Sequence, residues 1–179
     1  MNLWHDVKLG DNTPDELNVV IEIPKGSNNK YEIDKETGLI ALDRANYSSS
    51  PYPADYGFAP QTLWDDNDAL DVIVLTTWPI DVGVVARVRP VAVMEMTDGG
   101  QSDFKIIAVP RDDRRWDDIQ DLKDINKHSL NEIKHFFETY KKLNGMKTVK
   151  VKVHGFKGRE EAKKAIVKSI KMYNNKFNK

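Results

Sequence analysis

The chain has 179 residues, 40% hydrophobic and 31% charged, which is the composition of a globular protein and excludes a disordered or fibrous one. It has no cysteine, so disulfides, thiolate metal sites and thiol nucleophiles are excluded and any metal must sit on oxygen or imidazole. The formal net charge is −1, yet residues 1–125 carry 12 Lys+Arg against 24 Asp+Glu and residues 126–179 carry 15 against 4. A basic last third can signal nucleic acid, but two solvated helices balancing an acidic body is the simpler account. The crowding of acids is the odder fact, because like charges repel unless something compensates them. No apolar signal-peptide core follows Met1, and runs such as Val72–Leu75 are too short to span a bilayer. A cytoplasmic protein with neither a membrane nor a nucleic-acid partner is therefore expected.

In chain order, the first two thirds read as β. Val19–Ile23 is an apolar run stopped by Pro24, and Leu39–Leu42 follows Gly38. Leu70–Leu75, Val82–Val88, Val91–Met96 and Phe104–Val109 are rich in β-branched residues and bounded by Gly, Pro or Asp. Asp98-Gly99-Gly100 has the form of a hairpin turn. Tyr52–Phe58, with prolines at 51, 53 and 60, reads as a rigid loop capping a barrel. Ser129 to Glu132 has the form of a capping box, followed by Ile133, Phe136, Phe137, Tyr140 and Leu143 on one helical face, with Asn144-Gly145 as its end. Thr148–Val153 alternates as a half-exposed strand, and a last helix aligns Ala162, Ala165, Ile166, Ile170 and Tyr173. No repeat or linker divides the chain. The pattern predicts a single domain over 1–179, a mainly β, α+β fold in which a closed β-barrel carries two C-terminal helices outside.

The densest chemical feature is Asp65-Asp66-Asn67-Asp68-Ala69-Leu70-Asp71, running into Val72-Ile73-Val74-Leu75. A loop entering a strand can aim Asp66, Asp68 and Asp71 at one point, and clustered carboxylates suit hard, oxygen-seeking cations such as Mg²⁺. A solvated turn is the bland alternative for the motif taken alone. An EF-hand is excluded, since Asp71 and Thr77 stand where its Gly and Glu would be. Asp98 and Asp103 form a second acidic pair, with Lys105 two residues on and so on the same side of a pleat as Asp103. Lys30 shares a strand face with Glu32, and Asp43-Arg44 ends another strand. Singly these are ordinary surface ion pairs; together they offer phosphate-binding cations. Glu22 inside an apolar run needs a partner or a polar cavity. Tyr140 fits core packing, while its neighbour Lys141 has no packing reason to be there. The four histidines lack ligand spacing.

Taken together these residues resemble the soluble family I inorganic pyrophosphatases of prokaryotic type. Asp66-Asn-Asp68-Ala-Leu-Asp71-Val72 is similar to the family signature Asp-x-Asp-Pro-x-Asp-Val. Glu22, Lys30-Tyr-Glu32, Asp43-Arg44, Tyr52-Pro-x-x-Tyr56-Gly, Arg89-Pro-Val, Met96-Thr-Asp98, Asp103-x-Lys105, Ala108-Val-Pro110 and His135-Phe-Phe-Glu-x-Tyr140-Lys141 follow in matching order. Ala69 replaces the usual proline, and Thr148 stands where bacterial relatives often have tryptophan. The resemblance implies a five-stranded OB-like barrel with additional strands and helices, a hexamer, and Mg²⁺-dependent hydrolysis of pyrophosphate to two phosphates, with several cations per subunit and Mn²⁺ or another divalent ion as substitutes. It implies Asp66, Asp71 and Asp103 as metal ligands, Asp98 and Glu32 at further metal positions, and Asp68 as general base. Lys30, Arg44, Tyr56, Lys105, Tyr140 and Lys141 would hold phosphate oxygens. The competing readings are an OB-barrel binding nucleic acid, disfavoured by the acidic strand region, and a non-catalytic metal-binding protein, which leaves the cations unexplained.

Overall fold

A computed structural model describes residues 1–145 and 150–177. Among these described residues, nine strands and two α-helices follow in the order β1 (Leu17–Ile23), β2 (Asn29–Ile33), β3 (Ile40–Ala45), β4 (Asp55–Phe58), β5 (Asp71–Val74), β6 (Val85–Asp98), β7 (Gln101–Ser102), β8 (Lys105–Pro110), α1 (Lys127–Thr139), β9 (Val151–Gly158) and α2 (Arg159–Phe177). The sheet runs β1-β4-β5-β8-β6, and a further β1–β6 pairing joins its ends, so five strands close a ring. β7 and β9 extend β6, and β2–β3 is a separate two-stranded sheet. The expected OB-like closed sheet with added strands and two C-terminal helices is what the chain forms.

The long apolar runs follow from burial on both sheet faces. Along β5, Val72 and Val74 join one core cluster while Ile73 joins the other; along β8, Ile106 and Ala108 alternate with Ile107 and Val109 in the same way. α1 closes one cluster with Ile133, Phe136 and Phe137, and α2 closes the other with Ala162, Ala165 and Ile166. Gly99 and Gly100 make the hairpin between β6 and β7, with φ of 57° and 90°, a two-residue turn that demands left-handed backbone twice.

Several local expectations are corrected. Residues 82–88 and 91–96 are not two strands, because β6 runs from Val85 to Asp98 without a break in pairing, absorbing Pro90 at a register shift. Asp55–Phe58 is a fully buried strand of the ring and not a capping loop. Asp55 can be buried there because its carboxylate accepts from the backbone N–H of Lys25 and Ile80 and from the Thr76 hydroxyl. α1 starts two residues before Ser129, capped by Asn126, whose side chain accepts from the N–H groups of His128 and Ser129. It ends at Thr139, so Leu143 lies beyond the helix and is 68% exposed. The strand expected over Thr148–Val153 is seen from Val151; Thr148 itself lies outside the described residues.

β4 crosses β1 so closely that a Cβ on Gly57 would lie 2.0 Å from the Val20 carbonyl oxygen. Backbone cannot yield as a side-chain tip can, so Gly57→Ala is expected to cost about 3 kcal/mol or more. Thermal unfolding of this variant checks it: a midpoint near that of the parent would show that the β1–β4 crossing relaxes freely.

Candidate active site

A cleft of about 260 Å³ opens among β1, β2, β4, the end of β6, the segments leading into β5 and β8, and the residues just past α1. Its wall includes Glu22, Lys30, Glu32, Lys35, Tyr56, Asp66, Asp68, Asp71, Asp98, Asp103, Lys105, Tyr140 and Lys141. Every residue expected at the site from sequence lines it except Arg44, which stands one ion pair away: its guanidinium and the Lys30 ammonium share the Asp43 carboxylate. Lys30 also meets Glu32.

The centre is set by strand register. β5 and β8 run parallel with Asp71 beside Lys105, and Asp103 lies two residues before Lys105. The Lys105 ammonium donates to Asp71 and Asp103 at 2.7 Å each while lying 5.4 Å from the Tyr56 ring centre and 5.5 Å from that of Phe137. Burial alone would lower its pKa, but Asp103 and Asp71 reverse this and hold it well above the usual lysine value. Asp71 is raised by burial and by Asp103, against the opposing pull of Lys105. Asp66 is pushed up to about 6, by burial first and then by Asp71, Asp103 and Asp68.

The loop 64–70 is folded on itself: Trp64 N–H donates to the Asp68 carbonyl at 2.7 Å, and Asp68 N–H to the Asp66 carboxylate at 3.1 Å. Buried Trp64, Ala69 and Leu70 anchor it, leaving Asp66 and Asp68 to face the cleft. Asp98, ending β6, pairs with Lys141 just past α1. Tyr140 is both core and cleft wall, packed on Phe136 and Phe137, and burial raises its hydroxyl pKa.

Two members of the wall have no site role assigned from sequence: Lys35, and Glu22, for which the sequence shows only the need of a partner or polar cavity. Lys35 pairs with Asp68 at 2.6 Å, brought round by the turn after β2, and nothing in its spacing announces this. Glu22 is 5% exposed, accepts from Ile33 N–H at 2.8 Å, and is pushed up to about 8 by burial and by Asp71. Its place in an apolar run was the available signal.

The cleft wall carries seven carboxylates against four lysines. Among the described residues no three acidic or imidazole groups already converge as a metal cage. Lys105 and Lys141 occupy the gaps between Asp71, Asp103 and Asp98. Even so, the donors are all carboxylate oxygens in negative excess, which adds to burial in raising Asp66. This set fits a hard divalent cation and no soft one.

The sequence profile of one family, inorganic pyrophosphatase, matches residues 19–174. The chain belongs to the inorganic pyrophosphatase family. An inorganic pyrophosphatase of Haloferax volcanii is 46% identical over 177 residues, covering 99% of each chain. Soluble inorganic pyrophosphatase 3 of Arabidopsis thaliana is 48% identical over 170 residues, 95% of this chain and 77% of that relative. The crystal structure of inorganic pyrophosphatase from Thermus thermophilus superposes with a TM-score of 0.93 at 44% identity, covering 97% of this chain and 99% of the other. Hydrolysis of pyrophosphate is the activity of this family and of this chain as a member.

The buried Glu22 has a measurable effect. In the fold it keeps its proton to about pH 8, whereas unfolded it releases it near 4.5. The folded state binds more protons between those values, so Glu22 costs stability increasingly as pH rises through that window. Glu22→Gln keeps an acceptor for Ile33 and removes the charge. Its melting point in metal-free buffer should exceed that of the parent at pH 8, by about 2–4 °C per kcal/mol recovered, and the two should converge below the ordinary glutamate pKa. Melting curves across pH check this, and equal midpoints at pH 8 would contradict it.

Proposed function

We propose that the cleft cleaves pyrophosphate by direct attack of water, with Asp68 as general base, carboxylates holding Mg²⁺ and cationic and tyrosine side chains holding the phosphates. The observation that carries this reading is the alternation of carboxylates and ammonium groups around one cleft in a chain of this family. Asp66, Asp71 and Asp103 would hold the activating cations, with Asp98 and Glu32 at further positions. When bound, magnesium supplies charge neutralisation of the diphosphate and lowers the pKa of a coordinated water from about 15.7 toward neutrality.

The chain's own residues do the rest. Asp68 is half-exposed and faces the cleft; Lys35 engages one of its oxygens, and the other would accept the proton that the attacking water sheds. Lys30, Lys105 and Lys141 each already pair with carboxylates, which places them to exchange a carboxylate for a phosphate oxygen. Arg44 offers a planar fork at the rim. The Tyr56 and Tyr140 hydroxyls, kept protonated by burial, serve as donors to oxygens that gain charge as the bridging P–O bond breaks. The chemistry needs no covalent intermediate, in keeping with a chain without cysteine.

Among the described residues no helix is long and apolar enough to cross a membrane, and a cytoplasmic setting is part of the proposal. So is a homohexamer. Trp78, Val82, Val84 and Val85 are all more than 40% exposed within one short segment, an apolar surface that a second copy would cover. Light scattering should give a multiple of 20.5 kDa, and a monomer mass at micromolar protein would refute the assembly.

Two variants separate base from ligand. Asp68→Asn should fold and bind Mg²⁺ yet turn over about 10²–10⁴-fold more slowly at saturating metal. Asp71→Asn should weaken Mg²⁺ binding as well as rate. Phosphate release measured against Mg²⁺ concentration decides: near-parental turnover of Asp68→Asn rules out the base, and full rescue by added Mg²⁺ makes Asp68 a ligand. Absence of release from the parent chain with millimolar Mg²⁺ would overturn the magnesium reading.

A further inference from the structure

We propose that Lys168, on α2 and outside the cleft, is a positioning residue that holds the 64–70 loop in shape and so sets its affinity for magnesium. This rests on the reading that Asp66 and Asp71 bind the cation. The loop has reason to open. Asp65, Asp66, Asp68 and Asp71 repel one another, and Asn67 holds a left-handed φ of 68°.

Three ties from α2 oppose that opening. Leu63 N–H donates to the carbonyl of the fully buried Ser169 at 3.0 Å. Lys176 donates to the Asn67 side-chain oxygen at 3.3 Å. Between them, the Lys168 ammonium lies 4.2 Å from the Trp64 ring centre and bonds the Asp65 carboxylate at 2.8 Å. One side chain therefore fastens both residues that precede Asp66. Trp64 in turn donates its N–H to the Asp68 carbonyl, so the tie reaches across the loop.

The sign of the effect separates positioning from charge. If Lys168 acted only as a nearby cation, removing it would tighten magnesium binding by lowering repulsion. If it served only folding, its loss would lower the melting point and leave the affinity unchanged. Positioning predicts weaker binding. The size is bounded by the half-exposed setting of the pair, whose side chains are 48% and 37% exposed.

Isothermal titration of the full chain with MgCl₂ alone is the test. Lys168→Met should raise the magnesium Kd about 2- to 5-fold, while Lys168→Arg, which keeps both the ring contact and the ion pair, should stay near the parent. Turnover of Lys168→Met should return to the parental value at saturating magnesium. Asp65→Asn cuts the same tie from the loop side, and Lys168→Met/Asp65→Asn should bind no more weakly than the weaker single variant. Unchanged or tighter binding by Lys168→Met, failure of Arg to substitute, or additive losses in the double variant would each overturn the proposal. A parent chain that takes up no magnesium would overturn the cleft reading and this inference together; the other outcomes bear on Lys168 alone.

Discussion

Burying an ammonium costs several kcal/mol unless opposite charge meets it, and Lys105, at 2% exposure, is met by Asp71 and Asp103 at 2.7 Å each. That triad fixes much else. It requires β5 and β8 to run in parallel register with Asp71 beside Lys105. It also requires the turn after β7 to deliver Asp103 from the same side. The aromatic floor of Tyr56 and Phe137 excludes water beneath the ammonium, and so ties α1 to the chemistry through packing.

The same electrostatics explain why an acidic body tolerates its own charge. Lys30, Lys35, Lys105 and Lys141 each stand between or beside carboxylates, yet three more acids than lysines line the cleft. Burial then raises Asp66 and Glu22, the direction expected of sites that lack enough positive charge. An anionic ligand meets net negative charge in such a cleft. The imbalance thus matches a reaction in which cations and a polyanion arrive together.

Much of this was legible in the residues, and the failures have physical causes. The Asp66–Asp71 loop and the pairing of Asp103 with Lys105 follow from local spacing, which the structure keeps. The Gly99-Gly100 turn reads directly because glycine enters its left-handed backbone at both positions without steric cost. β4 did not read as a strand, because prolines flank it and it contains Asp55. What permits that burial is a set of donors from Lys25, Thr76 and Ile80, distant in sequence. β6 read as two strands because a proline normally ends pairing, whereas here a bulge absorbs it. The extent of α1 was misjudged at both ends: Asn126 outcompetes Ser129 as cap, and the chain leaves the helix before Leu143. Bringing Asp98 and Lys141 together depends on β9, which pairs with β6 and meets α1, and could not be read from either segment.

The closing pair of that ring joins β1 to β6, with Leu17 opposite Val88 and Val20 opposite Val85, partners more than 60 residues apart in the chain. The first strand to be made therefore waits for a late one, and the final helix must still dock before Trp4 and Tyr173 share a core. Contacts of such long range pay their loop-closure entropy before they return any stabilisation, which slows folding relative to a helical protein of equal size. During synthesis β1 emerges as an apolar ribbon, LNVVIEI, with neither edge paired. The interval before β4 and β6 follow is when this chain is most exposed to mispairing with its neighbours.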